Sequence, residues 1–108
     1  MSSTERIDVR RMDDRYEITV DGQVAGFAAF ADRGDERVMY HTEIDKTFGG
    51  RGLSNVLVTG ALEDVRASGK HVVPVCPLVA KFLTKHPEFA DLAHPVTGEI
   101  VAWLEKSA

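Results

Sequence analysis

The chain has 108 residues, 44% of them hydrophobic and 28% charged, with a formal net charge of −4. That length suits one domain, over 1–108, and the acidic balance argues against nucleic-acid binding. No apolar run is long enough to span a membrane, and the single cysteine, Cys76, excludes an internal disulfide and suits a reducing, cytoplasmic compartment.

The opening residues Met1-Ser2-Ser3-Thr4-Glu5-Arg6 lack the apolar core of a signal peptide. Glu5 to Arg11 alternates weakly through Ile7 and Val9 and predicts a first strand, ended by a turn at Asp13-Asp14. Arg15 to Val20 sets Tyr16, Ile18 and Val20 on one face, the pattern of a half-buried strand. Asp21-Gly22 is a strong signal for a two-residue hairpin turn. Gln23 to Ala31 continues as a third strand, where Gly26 and the alanines imply close packing. After a turn at Asp32-Arg33-Gly34-Asp35, Arg37 to Ile44 reads as a fourth strand. The succession is an antiparallel meander, with no helix of useful length between Arg11 and Arg37.

The next stretch carries the chemistry. His41-Thr42-Glu43-Ile44 runs into Gly49-Gly50-Arg51-Gly52, and helical spacing begins at Leu53. Glycines at 49, 50 and 52 allow close approach of a ligand to the backbone, because no Cβ stands in the way. The helix that follows opens with unpaired N–H groups and the positive end of its dipole, which suits a phosphate. From Leu53 to Ser68 an apolar stripe runs through Leu53, Val56, Leu57, Ala61 and Val65, widened by Val58 and Leu62, while Glu63, Asp64 and Arg66 face water. Gly60 inside that helix costs about 1 kcal/mol relative to alanine, which implies close contact with the sheet. Gly69 suits the helix end, His71 to Val75 a buried fifth strand, and Pro77 to His86 a second helix with Val79, Phe82 and Leu83 inward. The tail from His94, with Val96, Ile100, Val101, Trp103 and Leu104, is expected to pack as a strand or extended arm.

Two familiar phosphate loops do not fit. A P-loop needs Gly-Lys-Ser/Thr at the helix entry, and no lysine follows Gly52. A dinucleotide fingerprint needs a further glycine where Asn55 stands, within a parallel βαβ unit. Gly49-Gly50-Arg51-Gly52-Leu53-Ser54 instead resembles the acyl-coenzyme A loop Gln/Arg-x-x-Gly-x-Gly/Ala of the GNAT-type N-acetyltransferases. Gly49 replaces the family's Gln or Arg, and Ser54 its last Gly or Ala. With His41-Thr42-Glu43-Ile44 before and Val73-Pro74-Val75-Cys76-Pro77 after, the stretch from Gln23 to Leu92 is similar to the small single-domain members of that family.

The resemblance implies an α/β (α+β) fold, a mainly antiparallel sheet splayed between its fourth and fifth strands, with two main helices. It implies acetyl-coenzyme A as cofactor, with pantetheine against backbone groups of Thr42, Glu43 and Ile44 and the pyrophosphate on the N–H groups from Gly50 to Ser54, Gly49 bordering the loop and Leu53 lying within it. Arg51 is open between a phosphate partner and a solvated loop arginine, and Lys81 and Lys85 between the nucleotide end and solvent. Cys76 precedes Pro77 at a helix start, where it is a nucleophile, a hydrogen-bonding partner of acceptor or leaving thiol, or a small buried residue. His41 and Glu43 share one strand face, as a base relay or as structural and solvated residues. No tyrosine follows the fifth strand to act as leaving-group acid, and His71, His86 and His94 have no metal-ligand spacing with one another or with Cys76.

The expected activity is acetyl transfer to an amine, small molecule or protein lysine. Without helices between the early strands, the acceptor side should be open. A coenzyme A-binding module with little or no transferase activity is the alternative, and a thiol sensor using Cys76 a third.

Overall fold

The computed structural model describes residues 5–107, so residues 1–4, read above for a leader, lie outside it. Four strands form an antiparallel meander: β1 (Ile7–Arg11), β2 (Arg15–Val20), β3 (Gln23–Arg33) and β4 (Glu36–Ile44). Helix α1 (Leu53–Ala67) crosses over to β5 (His71–Pro74), which pairs in parallel with the start of β4. Helix α2 (Pro77–Lys85), a 3-10 segment (Pro87–Leu92) and helix α3 (Gly98–Ser107) complete the chain. The strands lie in sequence order across one sheet.

Local chemistry explains most of these elements. Asp21 and Gly22 take φ of 51° and 84°, the left-handed pair that joins β2 to β3 in two residues. Gly69, at φ 71°, ends α1 while Lys70 N–H reaches back to Val65 O at 3.1 Å. Gly26 is required for close pairing, since a Cβ there would lie 2.5 Å from Glu43 O.

One sheet face packs on α1. Tyr16, Ile18 and Val20 of β2, Ala28 and Phe30 of β3 and Met39 of β4 meet Leu57, Leu62 and Val65 in the main core. Val56 does not join this stripe: it stands 42% exposed, beside the outer edge of the sheet. Gly60 does meet the sheet, as its place in the helix implied, for a Cβ there would lie 2.9 Å from Val9 Cβ.

The tail corrects the sequence expectation. Rather than a strand or arm it forms α3, with Thr97 Oγ1 accepting the Ile100 N–H at 3.2 Å as a helix cap. Ile100 and Leu104, four residues apart, then bury against Val38 and Val73 on the sheet face opposite α1.

Asp64 likewise departs from a solvated role. Arg37, only 4% exposed, is held by both oxygens of Asp32 at 2.8 and 3.0 Å, and donates to Tyr16 Oη at 2.7 Å and Asp64 at 3.3 Å. Tyr16 in turn donates to Asp64 at 2.7 Å. Burial, then the hydrogen bond to Asp64, pushes the Tyr16 hydroxyl well above its ordinary range. The network ties β2, β3 and β4 to α1 at the end of the sheet away from the glycine loop.

Candidate functional site

The site begins at an irregularity in β4. Ala29 pairs with His41 but Phe30 with Met39, so Tyr40 is an extra residue, a bulge. A bulge reverses the alternation beyond it. Met39 on one side of the break and Thr42 and Ile44 on the other therefore face the α1 side, with His41 and Glu43 on the opposite face.

The same break parts β4 from β5. Pairing between them ends at Met39 and Pro74, with Cys76 N–H donating to Met39 O at 2.9 Å as the last link. Beyond that point the outer edge of β4 has no strand partner among the described residues. Asp45 N–H donates to Ala25 O at 2.7 Å, which sets the phase of the antiparallel ladder. By that phase the N–H and C=O groups of Thr42 and Ile44 point into the gap, whereas those of Glu43 face β3. Of the three residues expected to offer backbone to a cofactor arm, two are aimed there.

Cys76 sits at the throat of the gap. It is the residue before α2, 4% exposed, with Pro77 at the helix start. Its Sγ lies 3.4 Å from Thr42 Oγ1, a contact across the parted strands. On the other face His41 Nε2 and Glu43 Oε2 are 3.1 Å apart, both side chains more than half exposed, and Phe27 lies beside the imidazole.

The glycine loop follows directly. Asp45 accepts the Thr47 N–H at 2.8 Å, and that bond holds its carboxyl below the usual carboxylate range. The short 3-10 turn Lys46–Phe48 buries Phe48, and Gly49 N–H closes on Lys46 O at 3.1 Å. Gly50 and Gly52 then take φ of 78° and 72°, and Leu53 buries as the first residue of α1. Among the described residues the N–H groups of Gly50, Arg51, Gly52, Leu53 and Ser54 donate to no acceptor of the protein. Five amides at a helix entry, in a loop with nothing within 4 Å of the Cβ positions of Gly50 and Gly52, form a cradle suited to an anion.

Arg51 is not free for that anion in this conformation. Its guanidinium pairs with Glu5 and lies 5.8 Å over the Phe48 ring. Lys81 and Lys85 of α2, with Asn55 near the start of α1, line a polar groove of about 240 Å³.

Two features escaped the sequence. Tyr40 carries no mark of a bulge, because only its pairing across to β3 reveals one. His71 and His94, 23 positions apart in the chain, stack at 3.9 Å, with His94 Nδ1 2.7 Å from Glu36 Oε2. A parallel bridge between Val72 and Ala93 brings them together. Neither tyrosine reaches the throat: Tyr16 is held by Arg37 and Asp64, and Tyr40 packs beside α3.

Known proteins share this fold. The NMR structure of a GCN5-like putative N-acetyltransferase from Staphylococcus aureus aligns with 84% of the chain, covering 91% of its own length, at a TM-score of 0.64 and 15% identity. The ribosomal-protein-S18-alanine N-acetyltransferase of Escherichia coli aligns with 57% of the chain at a TM-score of 0.51 and 18% identity. Only 42% of that enzyme is spanned, so the chain covers less than half of it. At such identities the likeness is one of fold. No curated protein matches the sequence significantly. The sequence profile described as GCN5-related N-acetyl-transferase matches residues 15–92, which run from β2 through the parted strands and the glycine loop to the 3-10 segment after α2. Well over half of the chain is matched, and the chain belongs to the GCN5-related N-acetyltransferase family.

Proposed function

We propose that the protein binds acetyl-coenzyme A and transfers its acetyl group to an amine. The observation that carries this is the set of unpaired amides from Gly50 to Ser54, at the mouth of a gap where Thr42 and Ile44 offer unpaired backbone groups. A diphosphate fits the first set and an amide-bearing arm the second, which would add to the edge of β4 like a strand. The bound cofactor supplies an acyl group activated as a thioester.

The chain's own residues have the remaining tasks. Thr42 and Cys76 line the throat, and either Oγ1–H or Sγ–H is placed to donate a hydrogen bond to a thiolate. Their contact orients both side chains, and the burial of Cys76 keeps water from that end. His41 donates its Nε2–H to Glu43, which leaves Nδ1 as the base that accepts the proton of an incoming amine from the exposed face. Lys81, Lys85 and Asn55 would meet the far end of the nucleotide. No helix lies between β1 and β4, which favours a bulky or flexible acceptor such as a polyamine or a lysine side chain.

Titration calorimetry with coenzyme A tests the cofactor, and thiol release across a panel of amines and lysine peptides tests the transfer. Cys76→Ala and His41→Gln should each retain cofactor binding and slow thiol release. A protein that ignores coenzyme A at millimolar concentration overturns the proposal. Binding with no acceleration for any amine overturns the transferase part alone.

A further inference from the structure

We propose that the free edge of β1 joins two copies of this chain into a symmetric dimer with one continuous sheet. Among the described residues no strand pairs with the outer side of β1, which is a regular strand without proline or bulge. The phase of its ladder fixes what it offers there. Met12 N–H donates to Arg15 O at 2.7 Å and Asp21 N–H to Arg6 O at 2.8 Å, so the even-numbered residues of β1 bond to β2. The N–H and C=O groups of Ile7, Val9 and Arg11 point outward.

An antiparallel pair of β1 strands can use those groups in three central registers. Centred on Asp8, the pair sets Asp8 against its own copy, and centred on Arg10 it sets Arg10 against its own copy. Both oppose like charges. Centred on Val9, it places Asp8 opposite the partner's Arg10 and, by symmetry, Arg10 opposite the partner's Asp8. Both fall at the positions between hydrogen-bonded pairs, where facing side chains stand nearest. Val9 then exchanges both backbone hydrogen bonds with its copy, and Ile7 does so with the partner's Arg11.

Charge thus selects one register out of three, and that register is the one a two-fold axis through Val9 generates. Arg10 is an exposed cation that makes no ion pair among the described residues, so it is available for this contact. The flanking surface agrees. Val9 with Val56, Thr59, Gly60 and Glu63 of α1 lines a groove of about 540 Å³ beside the edge, and Ile7 and Val56 are 39% and 42% exposed. The partner would bring the same apolar stripe across the axis.

Sedimentation equilibrium of the full chain should give twice the chain mass. Asp8→Arg or Arg10→Asp alone should weaken the dimer on the order of tenfold or more, since each creates two like-charge pairs across the axis. Asp8→Arg combined with Arg10→Asp should restore it. Amide exchange at Val9, whose N–H faces outward in the single chain, should slow as protein concentration rises. A monomer at about 1 mM would overturn the proposal. So would a dimer indifferent to both single reversals, a double reversal that fails to reassociate, or Val9 exchange independent of concentration.

Discussion

Replacing Gly60 by alanine sets two effects of opposite sign against each other. In a helix interior alanine is favoured over glycine by about 0.8–1 kcal/mol. Against this, the new Cβ would lie 2.9 Å from Val9 Cβ and 3.0 and 3.1 Å from its two methyl carbons. These atoms belong to the stem of a stiff β-branched side chain and cannot swing aside, and overpacking of this kind costs roughly 1–3 kcal/mol. The steric cost wins, and Gly60→Ala should destabilise the protein by about 1 kcal/mol, or a few degrees in Tm. In a Val9→Gly background all three contacts vanish, and the same change should be neutral or stabilising. The two sites would then couple by about 1 kcal/mol in a double-mutant cycle. Urea titrations of the four proteins at one fixed concentration measure this. A higher midpoint for Gly60→Ala in the native background, or an equal cost in both backgrounds, would refute the close approach of α1 to β1.

Arg37→Met should cost about 2 kcal/mol, because it takes the guanidinium from Asp32 and from the buried Tyr16 hydroxyl, while Asp64 keeps Arg11; a loss under about 0.5 kcal/mol on urea unfolding would show the network to be dispensable. The hydrogen bond from Arg37 holds the Asp32 carboxyl below its ordinary value of 3.8. A depressed carboxylate contributes stability that is present above the unfolded value and lost as pH falls through the folded one, so Asp32→Asn should be less stable than the native chain near neutrality and flatten its acid limb. Leu104→Ala should loosen α3 from the sheet at a cost of about 2 kcal/mol and shift the fluorescence of Trp103, the sole tryptophan; an unchanged spectrum would mean that α3 does not depend on this anchor. Gly52→Ala forces a Cβ into the left-handed region at φ 72°, which costs about 1 kcal/mol. Coenzyme A affinity should fall on the order of tenfold, and unaltered calorimetric binding would move the anion site away from this loop.

Much of the architecture was legible one element at a time. Tyr16, Ile18 and Val20 announced a half-buried strand, Asp21-Gly22 its hairpin, and Leu57, Ala61 and Val65 the inner side of α1, because each signal lies within one or two turns of chain. The glycine loop was legible for the same reason: Gly50 and Gly52 take backbone angles that other residues resist. The C-terminal helix is masked in the sequence because Val96, Val101 and Trp103 favour strands. The Ile100–Leu104 spacing and the Thr97 cap carried the true signal. The sequence around Arg51 fits two roles, and its pairing with Glu5 depends on a segment 46 positions away.

Local sequence alone determined the strands, the main helix and a glycine-rich turn at its entry, since propensity, periodicity and glycine conformation act over a few residues. Only the tertiary structure decided that the ladder of β4 slips at Tyr40, which turns Thr42 toward Cys76 and His41 toward solvent. Only the assembled sheet decided which backbone groups of β1 and β4 remain unpaired. Those outcomes depend on register between distant segments, and register follows from how a whole face is buried.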